Sequence, residues 1–141
     1  MDSASELNKR KVVLFVEAVW NEGRLELIDE LVAADYLGRV PCVDREVHGP
    51  EGVRRLVAWG RRSHPDLYVK IEDQVAEDDR VATRWRAAPK APVAGAAAAV
   101  SVYAGISIVR LLAGKQVDSH TEFANLGAIC MPAGDTETAT G

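Results

Sequence analysis

The sequence predicts an α+β fold, with helices first and a mainly antiparallel sheet after them. Three observations carry this. Apolar residues recur at helical spacing as far as His64-Pro65-Asp66, and with a period of two beyond it. Helical and strand patterns are segregated along the chain rather than alternating, which argues against a parallel α/β sheet. Finally, 141 residues give room for one core and not comfortably for two.

Residues 5–22 read as the first helix, with Val12, Val13, Val16, Val19 and Trp20 on one side and Asn21-Glu22-Gly23 as its stop. A shorter helix is expected over about 24–33, with Leu27, Ile28, Leu31 and Val32 as its apolar side. Asp35–Pro41 reads as a short extended piece, because Pro41 biases Val40 away from helix, and Cys42–Gly49 reads as loop. Gly49-Pro50-Glu51-Gly52 opens a third helix, with proline in the first turn and Glu51 at the positive end of the dipole. Its expected buried stripe is Val53, Leu56 and Val57, with Trp59 at its edge, and His64-Pro65-Asp66 ends it.

Leu67, Val69 and Ile71 then alternate with polar residues as a half-buried strand. Glu77-Asp78-Asp79 is the turn into a second strand, Arg80–Ala87. Residues 88–99 are rich in alanine and proline and read as a mobile apolar connection, either a lid over a pocket or a tolerated insertion. Val100–Leu112 and Gln116–Phe123 complete a four-stranded meander around the turn Ala113-Gly114-Lys115. One domain over 1–130 is expected, followed by a flexible tail over 131–141.

Apolar residues make up 48% and charged residues 27%, the proportions of a globular chain. A net charge of −4 offers no general attraction to nucleic acid or anionic membrane. Arg54–Arg55 and Arg61–Arg62 fit a solvated helix face. Cys42 and Cys130 form no CxxC motif, and His48, His64 and His120 are scattered, so no metal-ligand spacing and no metal is expected. No leader or apolar run of bilayer length is visible, and the expected location is the cytoplasm.

Several segments together resemble the SnoaL-like polyketide cyclases. They are Glu17-Ala18-Val19-Trp20-Asn21-Glu22-Gly23 with Asp35-Tyr36, and Gly49-Pro50-Glu51-Gly52 with His64-Pro65-Asp66-Leu67. Ala76–Trp85, Gly105–Arg110, Gly114-Lys115 and Leu126-Gly127 complete the likeness, which spans about residues 8–128. The resemblance implies the cone-shaped fold of nuclear transport factor two, with a pocket between helices and concave sheet. It also implies a homodimer through the outer sheet face. The implied activity is cofactor-free ring closure on an apolar polyketide-type substrate, in antibiotic or other secondary metabolism. Two features depart from the family. Its usual last-strand aspartate, the acid/base, aligns with Ala124, and its glycine-threonine-histidine segment is replaced by the alanine-rich stretch.

Alternation in the last strand places Asp118, His120, Glu122 and Ala124 on one face. If that face lines the pocket, His120 and Glu122 are the candidate acid/base pair, since burial moves such groups toward neutrality. The alternative is a solvated surface pair. Arg84 and Arg86 share a strand face. Paired with Glu122 or Asp118, Arg84 could polarise a substrate oxygen, whereas a surface arginine would only cover the sheet. Arg39, Tyr103, Trp59, Trp85, Arg86 and Ala124 are the candidate substrate-binding residues, and Arg110 is expected to pair with Asp118. Three activities stay open: acid–base cyclisation, epoxide opening or pericyclic closure in the same pocket, and a non-catalytic binding or dimerisation module.

Overall fold

The computed structural model describes residues 3–41, 43–90 and 102–126. Cys42, Cys130, the alanine-rich segment after Lys90 and the tail lie outside the described residues, and so do the expectations attached to them.

Ser3 caps the first helix by accepting from the Glu6 amide, and α1 runs over Ala4–Leu14. The helix continues without a break into a π-helical turn, Phe15–Asn21. A single 3₁₀ turn, Leu25–Leu27, leads into α2, Ile28–Leu31. The helix expected to reach about residue 33 stops at Leu31, and β1 takes over at Val32–Arg39. Strand pairing decides this boundary, because Val32 already lies opposite Gln116 of the last strand. The polar stretch after Pro41 contains a strand that the sequence did not suggest, β2 over Val47–His48, which pairs with Leu37 and Gly38. Helix α3, Gly49–Ser63, follows with proline in its first turn.

The remaining strands are β3 (Leu67–Glu77), β4 (Arg80–Pro89), β5 (Tyr103–Leu112) and β6 (Lys115–Asn125). They make the expected antiparallel meander. The full sheet is six-stranded, in the order β2-β1-β6-β5-β4-β3, and β1 runs parallel to β6. The sheet curls around the helices, which pack on its concave side.

Two buried clusters hold the layers together. Val19, Ile28, Leu31, Val32, Tyr36, Val47, Val53 and Val57 join the helices to β1 and β2. Val12, Val81, Val109 and Leu111 join α1 to the middle of the sheet. Asn21 pins the end of the π turn to β3, its side chain donating to the Val69 carbonyl and accepting from the Val69 amide, both at 2.8 Å. Arg61 donates to the Trp20 and Asn21 carbonyls at 2.6 and 2.9 Å, satisfying groups that a helix end leaves open. No helix among the described residues is long and apolar enough to cross a membrane.

Candidate functional site

The layers do not close completely. Between the helices and the concave sheet lies a cavity of about 420 Å³, inside the range of roughly 300–1,000 Å³ common for small-molecule sites. Its helical wall is mostly apolar, with Phe15, Val16 and Trp20 from the π-turn region and Val53 and Leu56 from α3, and with Asn21 and Arg61 as polar exceptions. The opposite wall is the sheet, and there the lining changes character.

A row of polar side chains crosses the concave face. Register sets Gln74 of β3 opposite Thr83, Thr83 opposite Ser107, and Ser107 opposite Thr121. Gln74 donates to Thr83 Oγ1 at 3.3 Å, and the Ser107 and Thr121 hydroxyls are 2.8 Å apart. From the adjoining row the Trp85 indole donates to Ser107 Oγ at 3.1 Å. Trp85 can lie there because its cross-strand neighbour is Gly105. A Cβ on Gly105 would stand 2.5 Å from Trp85 Cζ2 and 2.7 Å from Phe123 Cβ. The ring instead packs near Phe123, with centroids 6.0 Å apart.

Toward the β1 edge, the Tyr36 and Ser119 hydroxyls are 2.5 Å apart and buried. Burial, above all, pushes the Tyr36 hydroxyl above the usual tyrosine range. The Ser119 bond pulls it down, and the field of Asp118 raises it. Tyr36 therefore stays neutral. Gln116, only 4% exposed, also lines the cavity, and no hydrogen bond engages its side-chain amide among the described residues. At the other end Tyr103 meets His64 Nε2 at 3.2 Å, with the rings edge to face. No aspartate or glutamate is among the described lining residues; the one arginine there is Arg61.

The structure corrects the face assignment for the last strand. Ser119, Thr121 and Phe123 point into the cavity, and Asp118, His120 and Glu122 are exposed on the outer face. His120 Nε2 and Glu122 Oε2 do pair, at 2.6 Å, but as a surface pair with side chains 53% and 75% exposed. Alternation fixed which residues share a face, and the direction of sheet curl decided which face is concave. Arg84 is also outward and 60% exposed. Its carboxylate partner is Asp73 at 3.9 Å, and that of Arg86 is Glu72 at 3.1 Å; neither arginine pairs with Glu122 or Asp118. Ala124 sits with Arg84, Arg86 and Glu122 in a shallow groove on that outer face. Arg39 is exposed and bonded to Glu46 at 2.8 Å, away from the cavity lining. The Arg110 guanidinium bonds Asp79 at 2.8 Å rather than the expected Asp118.

Tyr103, Trp59 and Trp85 do lie on the cavity wall, and there they meet Tyr36, His64, Ser107, Gln116, Ser119 and Thr121, which sequence reasoning had not selected. One signal was available for the last strand. From Asp118 onward the charged residues of β6, Asp118 and Glu122, fall with His120 on the face opposite Ser119 and Thr121, as a solvated face requires.

Comparison with known proteins follows the same line. The family model for SnoaL-like polyketide cyclases matches residues 10–125. No curated protein matches the sequence. A candidate SnoaL-like polyketide cyclase from Jannaschia sp. CCS1 superposes with a TM-score of 0.74 at 17% identity, covering 92% of this chain and 93% of that one. IdmH, a candidate polyketide cyclase from Streptomyces antibioticus, gives 0.66 at 23% identity, covering 82% and 91%. An NTF2-like protein of unknown function from Mesorhizobium loti gives 0.66 at 20% identity, covering 89% and 97%. At these identities the structural likeness speaks to the fold.

Proposed function

We propose, because the chain belongs to the SnoaL-like polyketide cyclase family, that it is a cofactor-independent enzyme that closes a ring in an apolar, oxygen-bearing polyketide-type guest, in secondary metabolism. The observation that carries this reading is the cavity itself: mostly apolar on its helical side, hydroxyl-lined on its sheet side, and without a described carboxylate. Such a chamber suits closure by shape and hydrogen bonding. Holding two reactive ends together lowers a barrier by removing translational and rotational freedom beforehand. Neutral donors such as Tyr36 orient a carbonyl without taking a proton from carbon.

The test is incubation of the full chain with a linear polyene and with a linear poly-β-ketone, products being separated by chromatography and weighed by mass spectrometry. A pericyclic closure conserves mass, whereas an aldol closure followed by dehydration loses water. Conversion of the polyene is expected. Turnover of neither substrate counts against the reading.

A second reading, proton transfer, is favoured by one specific contact. His64 stands beside the Tyr103 hydroxyl on the cavity wall, and imidazole is the side chain most often used to move protons near neutral pH. Dehydrating turnover of the poly-β-ketone that disappears in His64→Gln would favour it.

The outer sheet face supports a homodimer. Ile106 and Ile108 are each 49% exposed there, side by side with Arg84, Arg86, His120 and Glu122. Exposed branched aliphatic residues in a polar surround are typical of a contact surface.

A further inference from the structure

The polar row on the concave sheet contains more protons than it has places to put them. Trp85 contributes one N–H, and Ser107 and Thr121 contribute one O–H each, three protons in all. Only two hydrogen bonds join the three groups: the indole to Ser107 Oγ at 3.1 Å, and the one between the two hydroxyls at 2.8 Å. Indole N–H only donates, so Ser107 Oγ accepts from it, while the bond between the two hydroxyls can run either way. If Ser107 donates to Thr121, the Thr121 proton is left over. If Thr121 donates to Ser107, the Ser107 proton is left over. Either way one O–H has no protein acceptor among the described residues, and both hydroxyls line the cavity.

The surroundings tell which guest atom that proton suits. The described lining residues carry no carboxylate to compete for it, and Arg61 adds a formal positive charge to the wall. Chained donors polarise one another, so the last proton of such a chain is a stronger donor than an isolated hydroxyl. Fixed dipoles of this kind act most strongly where charge grows during a reaction.

We infer that Trp85, Ser107 and Thr121 form a directed donor chain for an enolate- or phenolate-type oxygen of the guest, with the terminal hydroxyl as the catalytic donor and Trp85 as a positioning residue. The inference rests on the proposed function only in taking this cavity as the guest's site. It differs from a carboxylate mechanism in that the chain gives a hydrogen bond and takes no proton.

The test uses the full chain with para-nitrophenol, whose visible absorbance reports its ionisation and whose binding is followed by tryptophan fluorescence. The apparent pKa of the bound phenol is compared between the wild type and Ser107→Ala/Thr121→Val. The double change is needed because either hydroxyl alone can turn to serve the guest. The two proteins share the same greasy walls, so the desolvation of the phenolate cancels in the comparison. The expected result is a bound pKa about one unit lower in the wild type, the equivalent of one charge-assisted hydrogen bond. Thr121→Ser, which keeps a hydroxyl, is expected to behave as the wild type. Trp85→Phe removes the bond that polarises Ser107 and is expected to lose part of the difference.

A second measurement needs no variant. Across para-substituted phenols of rising oxygen basicity, phenolate affinity for the wild type is expected to rise. Equal bound pKa values in wild type and double variant, a flat phenolate series, or failure of the wild type to bind the phenol at all would each overturn the inference. These outcomes are read without turnover, so they are separate from failure of the cyclisation assay.

Discussion

Tyr36 of β1 and Ser119 of β6 share a buried hydroxyl bond of 2.5 Å across the one parallel pairing among the described strands, and Gly38 makes room for it. A Cβ on Gly38 would stand 2.2 Å from the Tyr36 oxygen. The phenol can therefore lie along its own strand only because residue 38 has no side chain. Gly38→Ala is expected to cost about 2 kcal/mol or more by urea denaturation, since it forces Tyr36 off its site. Tyr36→Phe is expected to cost only about 1 kcal/mol, because the packing survives and one hydrogen bond is lost.

The same tyrosine gives a pH signature. Its folded pKa is raised, chiefly by burial, so its contribution is complete below the usual tyrosine value of about 10 and lost as pH rises through the folded value. Between those two values the wild type is expected to lose stability faster than Tyr36→Phe. Denaturation midpoints at a series of alkaline pH values provide the check.

Asp79 and Arg110 give the opposite sign. The hydrogen bond from Arg110 holds the Asp79 carboxyl below the usual carboxylate range. Its stabilising effect is present above the ordinary carboxylate pKa and lost as pH falls through the folded value. Asp79→Asn is expected to be less stable than the wild type at neutral pH. The gap should narrow as pH falls below about 4. A constant gap down to the acid unfolding transition would show that the pair does not set this dependence.

Gln116 illustrates a conflict between stability and use. The residue as a whole is 4% exposed and no side-chain partner engages it among the described residues, yet none of its polar atoms is sealed in packed protein, so the amide opens onto the cavity. A polar group held without a protein partner in a largely apolar cavity gives up part of its hydration. Gln116→Leu is expected to raise stability by about 1 kcal/mol, seen as a higher thermal midpoint, and to weaken guest binding or turnover. Lower stability in that variant would mean that the amide is held in a way these contacts do not account for.

Outer-face substitutions separate the two sides of the sheet. Glu122→Gln and His120→Ala are expected to leave turnover within about twofold, because both side chains lie in an exposed pair away from the cavity. Ile106→Glu/Ile108→Glu is expected to convert a dimer to monomer in sedimentation velocity, since it sets like charges on the proposed contact. A tenfold loss of activity from Glu122→Gln in a variant that stays dimeric would return the outer face to the catalytic discussion.

Much of the fold was legible in the sequence. The change from helical to alternating period at His64-Pro65-Asp66 located the meander, and Gly49-Pro50 located α3. Long-range pairing was not legible. Val32 carries no local preference strong enough to end a helix, and the chain turns extended there because β6 offers Gln116 as its partner, pairing again from Leu37 onward. The site was legible only in part, because the middle of β5 inverts the usual rule. Its outward face carries Ile106 and Ile108, and its inward face carries Gly105 and Ser107. Hydrophobicity marks the concave face of a sheet when that face meets a packed core. Over residues 105–108 it meets a chamber that needs hydroxyls and space, so the greasier side there is the outer one, whereas Val109 and Leu111 further along turn inward to the packed core.

The parallel partnership of the first strand with the last has a kinetic side. Tyr36 and Ser119 are 83 positions apart in the chain, so the contact that seals that wall closes one of the largest loops the polypeptide can make. The entropy of joining such distant segments must be met before the contact contributes anything, which slows folding relative to helical proteins of similar size. During synthesis β1 emerges long before its mate, and until then its edge is open to other chains. A ribosome-bound chain that stops short of residue 115 therefore has α1, α2 and α3 but lacks β6, one wall of the chamber.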